Sequence, residues 1–326
     1  MLEKFERIKL GHFPTPIEHL KNISKYLGGP NIFIKRDDCT GLATGGNKTR
    51  KLEFLIPDAI KNKAELVVTI GAVQSNHARQ TAAACTLMGL KCLIVLEQRI
   101  KDPPKTYMKS GNVFLDKLFG AEVKVCPRNE SIEEYSEKLI KDIKSKGTNV
   151  YFIPGGGSNS IGALGYAECL NEIIKENGKY NFSQILHATG SSGTQAGLLA
   201  GKKYFNCKIP VIGICVRYEK AIQMDKVYSE AKKTCEKLEC KILDKSEVIV
   251  DDGYIGPGYG EPTEDMKEAV KLLAEKEGIL LDPVYSGKAF AGLIGMVKKK
   301  QLKKNDNVLF IHTGGAASLS AYEWAF

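Results

Sequence analysis

Short apolar runs alternate with longer amphipathic stretches along the whole chain. "NIFIKR", "ELVVTI", "KCLIVLE", "AEVKVC", "VYFIP", "SQILHAT", "PVIGICV" and "NVLFIHT" are too brief for helices and rich in β-branched residues, so each predicts a strand. Between them, "TRKLEFLIPDAIKN", "NHARQTAAACTLMGL", "GNVFLDKLFG", "SIEEYSEKLIKDIKSKG", "SIGALGYAECLNEIIKENG" and "GTQAGLLAGKK" have helical spacing. Pro57 is expected to bend the first of these helices, and Gly89 to close the second. Long helices follow "PVIGICV". Strands that alternate with helices of this length predict an α/β architecture with parallel, doubly wound sheets. There is no low-complexity linker and no repeat. At 326 residues the chain is long for one domain, so two are expected.

Glycines cluster where strands hand over to helices: "TGGNK", "IGAVQSN", "PGGGSNS", "TGSSGTQAG" and "HTGGAAS". Ligands of open α/β sheets sit at the carboxyl ends of the strands, and glycine there lets backbone N–H groups approach them. One such turn is only a connection that needs glycine. Five, all with polar side chains, predict a phosphorylated ligand.

Composition narrows the classes. The net charge is +9, from 47 Lys and Arg against 38 Asp and Glu, with most lysines scattered on helix-like segments. That suits solvated helix faces with some attraction for anions. Few arginines and few interleaved aromatics argue against nucleic acid. The nine cysteines are dispersed without a CxxC pair, so reduced thiols are expected and a metal site is not. The N-terminal stretch lacks the apolar core of a secretory signal, and no apolar run reaches membrane-spanning length, so a cytoplasmic protein without a membrane partner is expected.

Four chemistries compete for the glycine turns. In "GLATGGNK", Lys48 falls one residue too late for a phosphate-loop NTPase. GxGxxG follows none of the strands, which disfavours a dinucleotide. Ser75 and His77 are two apart, so on a helix they do not meet, and the GxSxG elbow of serine hydrolases is missing. Pyridoxal phosphate needs a Schiff-base lysine, an anion cradle and a partner for its ring nitrogen. Lys48 supplies the first. Thr189, Gly190, Ser191, Ser192, Gly193 and Thr194 supply the second, between a strand and a helix N-terminus, with no lysine or arginine in the cradle itself.

"KRDDCTGLATGGNKTRKLE", "IGAVQSNHARQTAAA", "TGSSGTQAG", "LDPVYSGKAF" and "IHTGG" resemble the D-cysteine desulfhydrase / 1-aminocyclopropane-1-carboxylate (ACC) deaminase family, over about Pro14 to Gly315. The resemblance implies pyridoxal 5'-phosphate, the tryptophan-synthase β-like fold (fold type II of these enzymes), two domains each with a mainly parallel twisted sheet, and a homodimer. Residues 1–49 and 161–326 would form the large, cofactor-binding domain and 50–160 the small one. By the same resemblance Lys48 is the Schiff-base lysine. Ser75 and Asn76 meet the substrate carboxylate and the cofactor ring, beside Gln74 and His77. Gly190 to Thr194 hold the phosphate, Tyr285 and Tyr259 are active-site tyrosines, and Thr313 approaches the ring nitrogen. His77 could orient a tyrosine, and either Lys48 or a tyrosine of lowered pKa would take the α-proton.

ACC deaminases resemble "QSNQ", "VYEGK" and "HLGG" where this chain has His77, Ser286 and Thr313. Without a carboxylate at 286 the ring nitrogen stays largely unprotonated. The expected reaction is therefore α,β-elimination of D-cysteine to pyruvate, hydrogen sulfide and ammonia. ACC deamination to 2-oxobutyrate, or lysis of another sulfur-containing amino acid such as L-cysteate, is the alternative. A serine hydrolase and a non-catalytic ligand-binding protein are the readings from other classes.

Overall fold

The computed structural model describes residues 2–326. Strands β1 (Ile17–His19), β2 (Asn31–Lys35), β7 (Gln184–Thr189), β8 (Val211–Cys215), β9 (Ile249–Asp251) and β10 (Asn307–Ile311) form one sheet, in the order β1-β2-β10-β7-β8-β9. Strands β3 (Leu66–Ala72), β4 (Lys91–Glu97), β5 (Glu122–Val125) and β6 (Val150–Ile153) form another, in the order β5-β4-β3-β6. All pairs are parallel except β1 with β2. The helices are α1 (Lys21–Leu27), α2 (Lys48–Lys61), α3 (Asn76–Leu87), α4 (Gly111–Leu118), α5 (Ile132–Ser145), α6 (Ser160–Tyr180), α7 (Gly193–Tyr204), α8 (Lys220–Leu238), α9 (Glu264–Glu277) and α10 (Ser286–Lys298). Thus each expected strand and helix has its counterpart. Pro57 lies inside α2 without ending it. Among the described residues no helix is long and apolar enough to cross a membrane.

Alternation along the strands sorts the core. Leu309 and Ile311 join the cluster under α6, α7 and α8, whereas Val308 and Phe310 join the one under α1, α9 and α10. Phe33 likewise faces away from Ile32 and Ile34. Both faces of the larger sheet are therefore covered, as parallel strands require.

Helix α2 opens with Lys48 and is buried from Lys48 through Pro57. It packs on α6 so closely that a Cβ at Gly165 would lie 2.3 Å from the Arg50 carbonyl oxygen, so only glycine fits there. Arg50 anchors the helix from behind. Its guanidinium donates to Asp37 (2.8 Å to each oxygen) and to Glu172 (2.8 and 2.9 Å), and Lys35 pairs with Glu172 at 2.9 Å. Burial alone would raise the Asp37 carboxyl; Arg50 and Lys35 outweigh it and hold it below its usual range. Removing one partner of such a cluster strands a buried charge, at a cost of about 3–5 kcal/mol.

Candidate active site

Lys48 opens α2, and its Nζ donates to Asn47 Oδ1 at 2.8 Å. Asn47 is held in turn, its Nδ2 donating to Thr194 Oγ1 (3.2 Å) and its backbone N–H to the Thr313 carbonyl (3.0 Å). The lysine is only 8% exposed. Burial, with Arg79 adding and Asp282 opposing, brings its pKa down to about 8. The amine is thereby poised to lose its proton near neutrality.

The loop from Thr189 to Ser192 joins β7 to α7 and turns through a positive φ of 76° at Ser192. With Gly193 and Thr194 it presents the N-terminus of α7 to a pocket that is also lined by Asn47, Lys48, Asn76, Tyr285 and Thr313. Thr189 lines this pocket too, while its hydroxyl accepts from Gln223 at 3.0 Å. The loop itself holds no lysine or arginine, as expected, but α2 brings Lys51 beside it. Three residues beyond Lys48, on the same side of α2, it lies fully buried, with Nζ donating to the Gly156 carbonyl (2.9 Å) and Ser158 Oγ (3.4 Å). Ser158 Oγ accepts from the Gly193 N–H at 3.1 Å and donates to Ser191 Oγ at 2.9 Å. A Cβ at Gly193 would come within 3.0 Å of Lys51 Nζ. Burial, with Lys48 adding, pushes the Lys51 ammonium well below its usual range. A buried cation without a carboxylate in contact, beside a helix N-terminus and two serine hydroxyls, is a donor set suited to phosphate. The residues present therefore fit pyridoxal phosphate.

Ser75 caps α3, its Oγ accepting from the Ala78 N–H at 3.1 Å, and faces a cleft of about 890 Å³ that also reaches Lys48, His77, Tyr259 and Tyr285. Asn76 lines the inner pocket and is fixed by Arg79 (2.9 Å) and Asn112 (3.0 Å), both donating to its Oδ1. Tyr259 and Tyr285 share a short hydrogen bond between their hydroxyls, and the Tyr285 ring centroid is 5.9 Å from Lys48 Nζ. Burial raises the pKa of both tyrosines, so neither is the low-pKa base that the sequence left open.

Two further expectations change. Gln74 turns from the cleft, because its amide donates to the Tyr107 and Ser110 carbonyls (2.6 and 3.0 Å) and accepts from the Asn112 N–H (2.9 Å). It braces α4 and is no substrate ligand. His77 lines the cleft, yet its ring nitrogens face Thr69 (2.7 Å) and Thr81 (3.5 Å), so it orients neither tyrosine and does not meet Ser75. Burial, with Lys48 and Lys51, depresses its pKa and keeps it neutral.

Ser286 sits behind the pocket. Its Oγ donates to Asp282 Oδ1 (2.6 Å) and accepts from the Asp282 N–H (2.8 Å). Asp282 also accepts the N–H groups of Val284, Tyr285 and Ser286 at 2.7–3.0 Å, which caps α10. Among the described residues no His, Cys, Asp and Glu group could hold a metal ion.

A fold with two mainly parallel sheets and a buried lysine that shares a pocket with a phosphate cradle defines a class, and comparison agrees. The profile of pyridoxal-phosphate dependent enzymes matches residues 8–314, and the chain belongs to that family. Its cofactor is pyridoxal phosphate. A crystal structure described as an ACC deaminase homologue is 38% identical, with a TM-score of 0.89, covering 99% of this chain and 95% of that one. Two more distant structures share the fold. O-ureido-L-serine synthase is 14% identical (TM-score 0.70, 97% and 93% covered). A hydrogen sulfide-producing enzyme from Fusobacterium nucleatum is 18% identical (TM-score 0.65, 94% and 96% covered).

Proposed function

We propose that the protein is a D-cysteine desulfhydrase: D-cysteine and water give pyruvate, hydrogen sulfide and ammonia. The observation that carries this choice within the family is the lining of the inner pocket. Among the described residues it includes no carboxylate, and Thr313 is the hydroxyl residue that would serve as partner of the ring nitrogen. Asp282, the nearby acid, is saturated by three N–H groups and Ser286. A hydroxyl partner leaves such a nitrogen largely unprotonated, which suffices for elimination of a good leaving group and suits cyclopropane opening less well.

Lys48 would hold the cofactor covalently, and Gly190 to Thr194 with Lys51 would hold its phosphate. When bound, the cofactor supplies the electron sink that makes the α-proton of an amino acid removable. The N-terminus of α3, with the Ser75 hydroxyl and the Asn76 amide, binds the substrate carboxylate. The Lys48 amine, with its pKa brought down to about 8, takes the α-proton at Nζ. Tyr285, protonated and bonded to Tyr259, gives a proton to the departing sulfur. The division that suits this reading has residues 50–160 as a small domain and 1–49 with 161–326 as a large one, so that closure of the cleft excludes water. A cytoplasmic homodimer fits the same reading.

The test is keto-acid release by purified, cofactor-loaded protein given D-cysteine and ACC in parallel. Pyruvate and sulfide from D-cysteine, with no product from ACC, support the proposal. 2-Oxobutyrate from ACC would return the second reading, which the 38% identity to an ACC deaminase homologue favours.

A further inference from the structure

Two arginines in the cleft have no part in the reaction as described. Arg99 follows β4 and Arg217 follows β8, so each stands at the carboxyl end of a strand, one from either sheet. Both line the cleft. They flank one ring: the Arg99 guanidinium carbon is 4.7 Å from the Tyr259 centroid and that of Arg217 is 6.0 Å away. Arg99 is partly neutralised, its Nε donating to Glu97 at 2.6 Å. Arg217 is not. It stacks on Tyr218 at 4.6 Å and, among the described residues, makes no hydrogen bond or ion pair with the protein. It is nevertheless only half-exposed. The other acids and bases of the cleft lie largely on α5 and α8; of these, Asp225 pairs with Lys245, and Glu230, its carboxyl raised by burial, is attracted to Lys233 and Lys51.

Position gives this charge a target. A substrate with its carboxylate on the α3 N-terminus and its amine at Lys48 shares one cleft with Tyr259, Tyr285, Arg99 and Arg217. A guanidinium there, free of a protein carboxylate, is a fork of donors for a planar or tetrahedral anion. We propose that Arg217, with Arg99 opposite, forms a subsite for an anionic β-substituent, so that the enzyme selects α-amino acids whose side chain carries or departs as an anion. This rests on reading the cleft as an amino-acid site. It adds a discrimination by charge: cysteine would be held as its thiolate, whereas a side chain that carries no charge would leave Arg217 without a partner. It also assists the reaction proposed above. When the Cβ–S bond of the bound thiolate breaks, the electron pair stays on sulfur, which takes the Tyr285 proton and leaves as hydrosulfide beside a positive charge.

The test separates the subsite from catalysis by using ligands without an amino group. The cofactor-loaded protein is titrated calorimetrically with 3-sulfopropionate and with butyrate, which differ in the charged end alone. Binding of 3-sulfopropionate at least tenfold tighter than butyrate is expected. Arg217→Gln should remove most of that preference, and Arg217→Lys should retain part of it. Equal affinities in the parent, or an undiminished preference in Arg217→Gln, would overturn the subsite. Neither ligand can react, so a preserved preference in a protein that releases no pyruvate from D-cysteine would sink the desulfhydrase reading and leave the subsite standing.

Discussion

Replacing Lys51 by methionine should move two quantities in different directions. Lys51 is wholly buried, and the attraction of Glu230 does not make up for its lost hydration, so in the cofactor-free protein its charge is a burden. The unfolded chain holds the proton up to the usual lysine range, whereas the folded chain gives it up at much lower pH. The group therefore subtracts from stability as pH falls below about 10.4 and does so fully below its folded pKa. Methionine conserves the volume and removes the charge. The cofactor-free variant should be at least as stable as the parent in urea at pH 7, with an advantage that shrinks above pH 10. Once phosphate is bound, the same ammonium becomes a charge-assisted donor worth about 1.5–3 kcal/mol. Affinity for pyridoxal phosphate should fall by roughly 10- to 150-fold. Equilibrium dialysis against the cofactor, with urea melts of both cofactor-free proteins, reads both quantities. An affinity within threefold of the parent would refute the placement of the phosphate beside Lys51. A cofactor-free variant clearly less stable than the parent would refute the claim that the buried charge is uncompensated.

Other outcomes follow from the same geometry. Capture of the cofactor by the cofactor-free protein needs a neutral Lys48 amine, so its rate, followed by the gain of visible absorbance, should rise through about pH 8 and then level; a rise that continues to pH 10 would mean an ordinary lysine. Tyr285→Phe should keep the cofactor spectrum and lower kcat for D-cysteine by about 10²-fold or more, the usual contribution of a positioned acid. Loss of the spectrum instead would make Tyr285 a structural support of the pocket.

Much of this fold was legible because parallel strands buried on both faces appear as continuous apolar runs, and the glycine turns mark their carboxyl ends. The strand β1 escaped because three residues, "IEH", carry no period, and its antiparallel pairing with β2 is set by tertiary contact. Lys51 is less legible because it lies outside the loop, on α2, three residues after Lys48; the helical period of "NKTRK" is its signal. Gln74 is adjacent to Ser75 in sequence, but at a strand-to-helix turn neighbouring side chains diverge, and this one turns to α4. Arg99 and Arg217 each lie two residues past a strand end, a position the glycine rule already marks, but neither has a glycine beside it to draw notice.

Lys48 is the central residue of the site, and the chain offers rivals. Lys51 is buried beside the same cradle, and Lys288 is buried with a pKa also brought down to about 8, its Nζ donating to the Ile255 and Gly258 carbonyls at 2.6 and 2.9 Å. Borohydride reduction of the cofactor-loaded protein, followed by peptide mass mapping, fixes the attachment point. The account predicts a pyridoxyl group on the peptide at Lys48 and none at Lys51 or Lys288. Label at either of those lysines, with Lys48 unmodified, would contradict it.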